Sequence, residues 1–154
     1  MNTLITVKQV LRTKGHGFHA VGPEATAYDA LEIMAEKNVG ALLVVEGGRL
    51  AGVFSERDYA RKVILKGKSS KSTTVRELMS SPPITVGQGS TMRDCMKAMT
   101  ENRVRHLPVV EHDTLLGVIS IGDVVNAIIT GQREQIEELE NYITETEYPS
   151  PFAA

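Results

Sequence analysis

The sequence is poor in residues that support several common functions. It has no tryptophan, a single cysteine, Cys95, and only 5% aromatic residues. One cysteine cannot form an intrachain disulfide, which fits a reducing compartment such as the cytoplasm. The formal net charge of −2 gives no general attraction to nucleic acid or to an anionic membrane. No apolar run approaches the roughly 20 residues that span a bilayer, and the first residues lack the apolar stretch of a secretory signal. We therefore expect a cytoplasmic protein with neither nucleic acid nor a membrane as partner; an organelle stays open, because a transit peptide could have been removed.

Sequence fingerprints of catalysis and metal binding are also missing. Neither the Gly-x-Gly-x-x-Gly pattern nor the Gly-x-x-x-x-Gly-Lys pattern occurs. His16 and His19 have no thiol or carboxylate neighbours at zinc-ligand spacing. Cys95 falls on the apolar side of a predicted helix, which favours a position in the core. We expect no enzymatic activity, no metal site and no catalytic cofactor.

The sequence contains an internal duplication. When the sequence is shifted by 65 positions, a second copy aligns without a gap, so that Thr26 meets Thr91 and Asp29 meets Asp94. Further matched pairs are Val21 with Val86, Gly22 with Gly87, Met34 with Met99, Leu42 with Leu107, Gly52 with Gly117, Ser55 with Ser120 and Asp58 with Asp123. An ungapped register of this length is not expected by chance.

Each copy has the pattern of a β-α-β-β-α unit. A Thr-x-x-Asp capping box at Thr26 or Thr91 opens the first helix, and apolar residues then recur at helical spacing. Two short apolar strands form a hairpin, and a second helix starts at Ser55 or Ser120. The predicted strands are 20–21, 41–45 and 50–54 in the first copy and 84–86, 107–110 and 115–119 in the second, with turns at Gly47-Gly48 and His112-Asp113.

The predicted fold class is α/β (α+β), with the tandem repeats packed about a pseudo-twofold axis, because one unit alone cannot bury its sheet. The predicted organisation is an N-terminal helix near Thr6–Thr13 with a lead-in (1–17), a first repeat (18–67), a linker with a short helix near Thr74–Met79 (68–82), a second repeat (83–131) and an acidic C-terminal helix and tail (132–154). In that last helix Ile136, Leu139 and Ile143 form a narrow apolar stripe spaced to meet a partner helix.

The duplicated segments at 52–58 (GVFSERD) and 117–123 (GVISIGD) resemble the signature of cystathionine-β-synthase-type (CBS) domains, and 104–109 (VRHLPV) resembles that family's strand entry. The resemblance covers about residues 18–131 and is closest to small stand-alone proteins with two CBS domains. It implies a CBS-domain pair, often called a Bateman module. Such a pair binds AMP, ATP, NAD(H) or S-adenosylmethionine in clefts between its repeats, and two pairs commonly form a disk-like homodimer.

Ser120 and Asp123 are the strongest candidates for ligand binding, because they lie where a strand ends and a helix begins. Free backbone N–H groups and the positive end of the helix dipole favour an anion there. The serine hydroxyl can donate to a phosphate, and an aspartate three residues on can accept both ribose hydroxyls. The same Ser-x-x-Asp spacing is also a plain capping box, and both interpretations can hold together.

Basic residues near this corner are candidate phosphate contacts. Arg105 and His106 stand where the first copy has Gly40 and Ala41, a divergence that a symmetric scaffold does not require. A guanidinium binds phosphate through two parallel hydrogen bonds. The alternative is that Arg105 is a solvated surface cation and His106 a hydrogen-bonded strand residue.

By analogy with the family, residues 84–86 hold adenine in the cleft of Asp123, and residues 20–21 do so beside Asp58. Arg57 suggests a nearby anion or an acidic patch across an interface, since cations are disfavoured at a helix start, and Lys14 could reach a phosphate. The second-repeat cleft is the better equipped with basic residues. The full set of predicted ligand-binding residues is Ser120, Asp123, Arg105, His106, Ile84, Thr85, Val86, Pro108, Ser55, Arg57, Asp58, Ala20, Val21 and Lys14.

The leading hypothesis is a regulatory, signal-transduction module that senses energy or redox state through AMP, ATP or NAD(H). With no effector domain in 154 residues, the signal must pass to an unknown partner protein. The alternative is a nucleotide-independent dimerisation or adaptor protein, whose thermal stability is indifferent to AMP. A nucleotide-handling enzyme is a third hypothesis, which the missing catalytic groups disfavour.

Overall fold

The duplication in the sequence reappears in the backbone. The computed structural model describes residues 4–146 and the side chains of residues 4–141. After helix α1 (Val7–Lys14), the first repeat contains β1 (Ala20–Val21), α2 (Ala27–Lys37), β2 (Ala41–Glu46), β3 (Arg49–Ser55) and α3 (Glu56–Tyr59), which continues as a π-helical turn over Ala60–Ile64. Helix α4 (Val75–Leu78) precedes the second repeat, which contains α5 (Met92–Asn102), β4 (His106–Glu111), β5 (Thr114–Ser120) and α6 (Ile121–Thr146).

The two hairpins match residue for residue under the 65-position shift. In the first, Ala41 pairs with Ser55, and the register shifts between Val44 and Val45. In the second, His106 pairs with Ser120, and the register shifts at the corresponding place. Strands β3 and β5 are in contact across the two repeats. The mixed α and β architecture of paired repeats is thereby confirmed.

Capping boxes start the first helix of each repeat, as the sequence predicts. The Thr26 hydroxyl accepts a hydrogen bond from the Asp29 N–H at 3.1 Å, and the Asp29 carboxylate accepts from the Thr26 N–H at 3.4 Å. Thr91 and Asp94 repeat the pair at 3.2 and 2.9 Å. These bonds satisfy N–H groups that have no partner within the helix.

Each hairpin turns through two residues with positive φ. Gly47 and Gly48 have φ values of 58° and 78°, and His112 and Asp113 have values of 48° and 61°. Two-residue turns of this kind match the twist of the flanking strands. Glycine adopts this left-handed conformation freely, whereas at His112 and Asp113 it costs about 1–2 kcal/mol of conformational free energy per residue. Both turns were predicted at these positions and are confirmed.

The strand predicted at 84–86 is wrong in extent. Only Val86 forms a bridge, parallel to Val109, with its N–H donating to the Pro108 carbonyl at 3.0 Å and its carbonyl accepting from the Val110 N–H at 2.9 Å. The preceding Pro83 has no N–H to donate to a ladder. The second repeat therefore has a single bridge where the first has the short strand β1.

Each repeat has its own core, and the cores exchange their lead-in helices. Val7 and Leu11 of α1 are fully buried in the second-repeat core, whereas Val75 and Leu78 of α4 are buried in the first-repeat core. Backbone bonds fix both crossings: Val7 N–H donates to the Ser90 carbonyl, and Val75 N–H donates to the Ala25 carbonyl, each at 2.8 Å. The predicted "lead-in" and "linker" helices are thus core elements of the opposite repeat.

Cys95 lies in the second-repeat core with no exposed surface. Burial raises the pKa of its thiol to about 11, with a smaller contribution from the charge of Asp94. The core position that its helical spacing predicts is confirmed.

Helix α6 runs without interruption from Ile121 to Thr146 over 26 residues. The predicted boundary between 131 and 132 falls inside it, and Gly131 is buried there. Ile136 and Leu139 of the predicted stripe are exposed; the Ile143 side chain and residues 147–154 lie outside the described part. No helix in that part is long and apolar enough to cross a membrane.

Candidate functional site

A cleft of about 380 Å³ lies between the two repeats. Its volume falls in the range of small-molecule pockets. It is lined by Lys14 and residues 17–19 of the lead-in, residues 38–41 and Leu43 of the first repeat, and His106, Val118 and Ser120 of the second repeat. Both copies therefore contribute to one concave surface.

The Ser120–Asp123 corner stands at the edge of this cleft. Ser120 N–H donates to Asp123 Oδ2 at 2.8 Å, and Asp123 N–H donates to Ser120 Oγ at 3.1 Å. This is a capping box, one of the two interpretations that the spacing allowed. Since Ser120 also lines the cleft, the cap and a ligand contact are compatible.

Lys14 joins α1 to this corner. Its Nζ donates to Asp123 Oδ2 at 2.7 Å and to the Val118 carbonyl at 2.9 Å. The two charged side chains are 29% and 21% exposed. Desolvation alone would raise the pKa of Asp123, but hydrogen bonds from Lys14 and from Ser120 N–H outweigh it and hold that pKa below its ordinary value. Asp123 is therefore a carboxylate at neutral pH, and a cation occupies one of its oxygens.

His106 sits where the two repeats meet. A Cβ on Gly40 would lie 3.9 Å from His106 Cε1 and 3.9 Å from Glu56 Oε2. Desolvation lowers the pKa of His106; Asp123 and Glu56 act in the opposite direction, while Lys14 and Arg105 add to the lowering. The imidazole is therefore neutral at neutral pH, and it offers the cleft one donor and one acceptor.

The equivalent first-repeat corner is more fully occupied by the chain itself. Asp58 Oδ2 accepts from Ser55 N–H and from Ser55 Oγ, each at 3.0 Å. Asp58 Oδ1 faces Lys62 Nζ at 3.3 Å and Ser80 Oγ at 3.5 Å. Both carboxylate oxygens thus have partners, so a ligand would have to displace them.

Two predicted phosphate contacts have other positions. Arg57 Nη1 donates to the Arg103 carbonyl at 3.2 Å, at the end of α5, where the helix dipole favours a cation. The backbone carbonyl of Arg105 accepts from Ile121 N–H at 2.9 Å. Within the described residues, neither arginine lines the cleft.

Each predicted adenine segment is separated from its corner by one strand, and its role in binding stays a prediction. The strand order of the first sheet is β1-β2-β3. Strand β2 therefore separates β1 (Ala20–Val21) from the end of β3, where Ser55 and Asp58 lie. Val86 likewise pairs with β4 on the edge opposite β5. Gly17, Phe18 and His19, just before β1, share the cleft with Ser120 of the other repeat.

The remaining members of the predicted set lie elsewhere. Pro108 is buried within β4. Thr85 lines a second, smaller depression of about 290 Å³ with Pro83 and Val110, and Ile84 is 38% exposed. Sequence reasoning missed Phe18, His19 and the 38–41 turn; the small residues at Gly40 and Ala41 were the available signal, because they leave room opposite His106.

The profile of the CBS domain matches this chain twice, over residues 6–64 and 75–130. The chain is also 41% identical over 147 residues to the mitochondrial CBS domain-containing protein CBSX3 of Arabidopsis thaliana, which covers 90% of this chain and 71% of that one. This chain belongs to the CBS domain family. The CBS domain-containing protein YhcV of Bacillus subtilis is 33% identical over 103 residues, covering 67% of this chain and 73% of its own.

Solved CBS structures have the same fold. A CBS-domain protein from Burkholderia ambifaria, described as a signal-transduction candidate, superposes with a TM-score of 0.79 at 46% identity and covers 82% of this chain and 96% of its own. A CBS-domain containing protein from Agrobacterium tumefaciens gives 0.75 at 36% identity, covering 79% and 98%. The chain is therefore a CBS pair in both sequence and architecture.

The two corners of this CBS pair differ in equipment despite their matched backbone. The Asp123 corner opens on the larger cleft, with Lys14 and His106 beside it. The Asp58 corner is bonded to Ser55, Ser80 and Lys62 of its own side. If the pair binds one small molecule, the Asp123 corner has the more accessible chemistry.

Proposed function

We propose that this CBS pair is a regulatory module that binds an adenine nucleotide, AMP, ATP or NAD(H), between its repeats. The observation that supports it is the Ser120–Asp123 corner at the edge of the 380 Å³ cleft, with a lysine bonded to the carboxylate. In signal transduction, a partner protein would recognise the nucleotide-bound form of the module. The Asp58 corner is a second, weaker candidate.

The cleft offers a separate surface for each part of a nucleotide. Phe18, Val39, Leu43 and Val118 supply apolar contacts for the base, which stacks on such surfaces. Asp123 can accept the ribose hydroxyls. Lys14 Nζ and the Ser120 hydroxyl are the phosphate donors, close to the positive end of α6.

Ligand binding in this proposal competes with an internal ion pair. In the unliganded chain, Lys14 Nζ and Asp123 Oδ2 are 2.7 Å apart. A ribose that hydrogen-bonds to Asp123 and a phosphate that binds Lys14 would separate these two groups. Lys14 is the last residue of α1, so the nucleotide acts directly on that helix. A ligand shifts such an equilibrium only through its different affinities for the two arrangements.

Calorimetric titration of AMP, ATP and NAD into the wild type and Asp123→Asn tests the site. The substitution keeps the shape and one acceptor but removes the charge, and we expect at least a tenfold loss of affinity, about 1.4 kcal/mol. Asp94→Asn is the matched control, because it changes the same type of cap in the same repeat away from the cleft. Equal affinities in all three proteins would refute the site.

The second candidate function is a nucleotide-independent dimerisation or adaptor role. The full occupation of Asp58 and the lysine on Asp123 favour it, because each carboxylate of the unliganded chain is already paired with a lysine. It predicts a melting temperature that does not change with any of the three nucleotides. In the sensing proposal, ligand at about 100 times its dissociation constant adds about 2.7 kcal/mol.

We propose a binding role without catalysis, and incubation with ATP and NAD should leave both chemically unchanged.

The proposed compartment is the cytoplasm, on the basis of the single reduced cysteine. A tagged full-length protein in fractionated cells tests this; the Arabidopsis relative is named as mitochondrial, and co-purification with mitochondria would overturn the cytoplasmic assignment.

A further inference from the structure

His106 lies beside a residue that we assign as a phosphate donor. It is the first residue of β4 and pairs with Ser120, the last residue of β5. Residues opposite each other in an antiparallel pair have Cβ atoms about 4.5–5.5 Å apart. Both residues line the 380 Å³ cleft, so an anion that accepts a hydrogen bond from the Ser120 hydroxyl would lie next to the imidazole.

The ring of His106 is half-buried, yet its nitrogens are not engaged by the chain. Within residues 4–141, neither ring nitrogen has a hydrogen-bond partner. His16 differs, because its Nδ1 lies 2.9 Å from the Leu116 carbonyl oxygen. Gly40 leaves space on the other side, since even a Cβ there would lie 3.9 Å from His106 Cε1. Both nitrogens of His106 are therefore available to a group in the cleft.

Burial and charges of both signs act on this imidazole. Burial is the largest cause, and it holds the pKa of His106 below its ordinary value of 6.5. Asp123 and Glu56, at the starts of α6 and α3, favour the charged ring, whereas Lys14 of α1 and the neighbouring Arg105 disfavour it. The ring is therefore neutral at about pH 7 in the unliganded chain.

A bound phosphate would change this balance. Its negative charge favours the charged imidazole, and an opposite charge within about 4–6 Å shifts a pKa by about 1–3 units. The phosphate would also neutralise the Lys14 ammonium, which disfavours the charged ring. A protonated imidazole donates from both of its nitrogens, which suits an anion that only accepts hydrogen bonds.

We propose that His106 couples nucleotide binding in this cleft to pH, because the imidazole takes up a proton from solvent when a phosphate binds beside it. This inference rests on the proposed function and adds regulation by pH to the same site. Affinity should rise as the pH falls from about 8 to about 6. The coupling belongs to one corner only, because the first repeat has Ala41 opposite Ser55 at the equivalent position.

Calorimetric titration of AMP and NAD into the wild type and His106→Gln at about pH 6, 7 and 8 tests the coupling. Glutamine keeps a donor and an acceptor but cannot gain a proton in this range. The AMP phosphate itself titrates near about pH 6, so the measured quantity is the ratio of wild-type to variant affinity, in which protonation of the ligand cancels. We expect this ratio to be at least about threefold higher at the lowest pH than at the highest.

The wild type alone gives a second measurement. The pyrophosphate of NAD does not titrate in this range, so the affinity of the wild type for NAD should also rise at least about threefold as the pH falls. Titration in two buffers with different ionisation enthalpies counts the protons, and the wild type should take up more protons than His106→Gln.

His19→Gln is one control, because His19 also lines the cleft, and His112→Gln is the other, because His112 does not line it. Both should keep the pH dependence of the wild type. A ratio that stays constant with pH would overturn the coupling, and loss of the dependence in His19→Gln alone would assign the proton to His19. Binding of neither ligand at any pH would refute the proposed function and this inference together, whereas binding without proton uptake refutes only the inference.

Discussion

Removing the Lys14 ammonium should weaken the fold by a predictable amount. Lys14→Met keeps the aliphatic stem but loses the hydrogen bonds to Asp123 Oδ2 at 2.7 Å and to the Val118 carbonyl at 2.9 Å. Hydrogen bonds to charged groups contribute about 1.5–3 kcal/mol, and exposed ion pairs about 0–1 kcal/mol. The side chains here are 29% and 21% exposed, so we expect an intermediate loss of about 1 kcal/mol.

The loss should depend on pH in a defined direction. The pKa of Asp123 in the folded protein lies below its ordinary value of 3.8. A carboxyl with a lowered pKa stabilises the fold above its unfolded pKa, and this stability disappears as the pH falls through the folded pKa. The difference between Lys14→Met and the wild type should therefore be full at about pH 7 and shrink below about pH 4.

Urea denaturation of both proteins at several pH values measures this difference. Lys97→Met is the control, because Lys97 and Glu101 are 4.0 Å apart and 74% and 62% exposed; its effect should be close to zero. If Lys97→Met destabilises as much as Lys14→Met, or if the Lys14→Met loss is unchanged in acid, the ion pair is not the cause. About 1 kcal/mol corresponds to a fall in melting temperature of about 2–4 °C for a chain of this size.

One substitution and one labelling experiment test the packing. Gly52→Ala should destabilise the protein by about 1–3 kcal/mol, because its Cβ would lie 2.7 Å from the Ser80 carbonyl oxygen and 2.8 Å from Met79 Sδ. Gly22→Ala is the control and should have little effect in the same thermal melts, because its Cβ would meet nothing within 4 Å. Similar losses of stability in the two variants would contradict the reasoning. The Cys95 thiol, with its pKa of about 11, should react with a thiol reagent in urea and hardly at all in the native protein at about pH 8; fast native labelling would show that the core opens readily.

The elements were largely predictable because their signals are local. A capping box fixes where a helix starts through side chains three residues apart, as at Thr26 and Thr91. Paired glycines at 47–48 indicate a tight turn, and the duplication transfers that turn to His112-Asp113. The course of α6 was less predictable, because Gly131 disfavours a helix locally but is buried within a continuous one.

The composition of the cleft was only half predictable. Ser120, His106 and Lys14 were proposed from the sequence and do line it, but the segment predicted to join them, 84–86, lies across β4. A 65-position shift shows which residues are equivalent, not which copy touches which. Which copy contacts which depends on how the two sheets pack, and the residue pattern of one repeat carries no information about that packing.

The exchange of lead-in helices has a consequence for how this chain can be cut. Cleavage between the first repeat and α4 would leave each half holding the other half's helix, because Val7 of α1 lies in the core of the second repeat and Val75 of α4 lies in the core of the first. Neither half would then own a complete interior, and we expect a separately produced half to aggregate or to recruit a second half. The smallest part of this chain that we expect to fold on its own is therefore the complete pair of repeats.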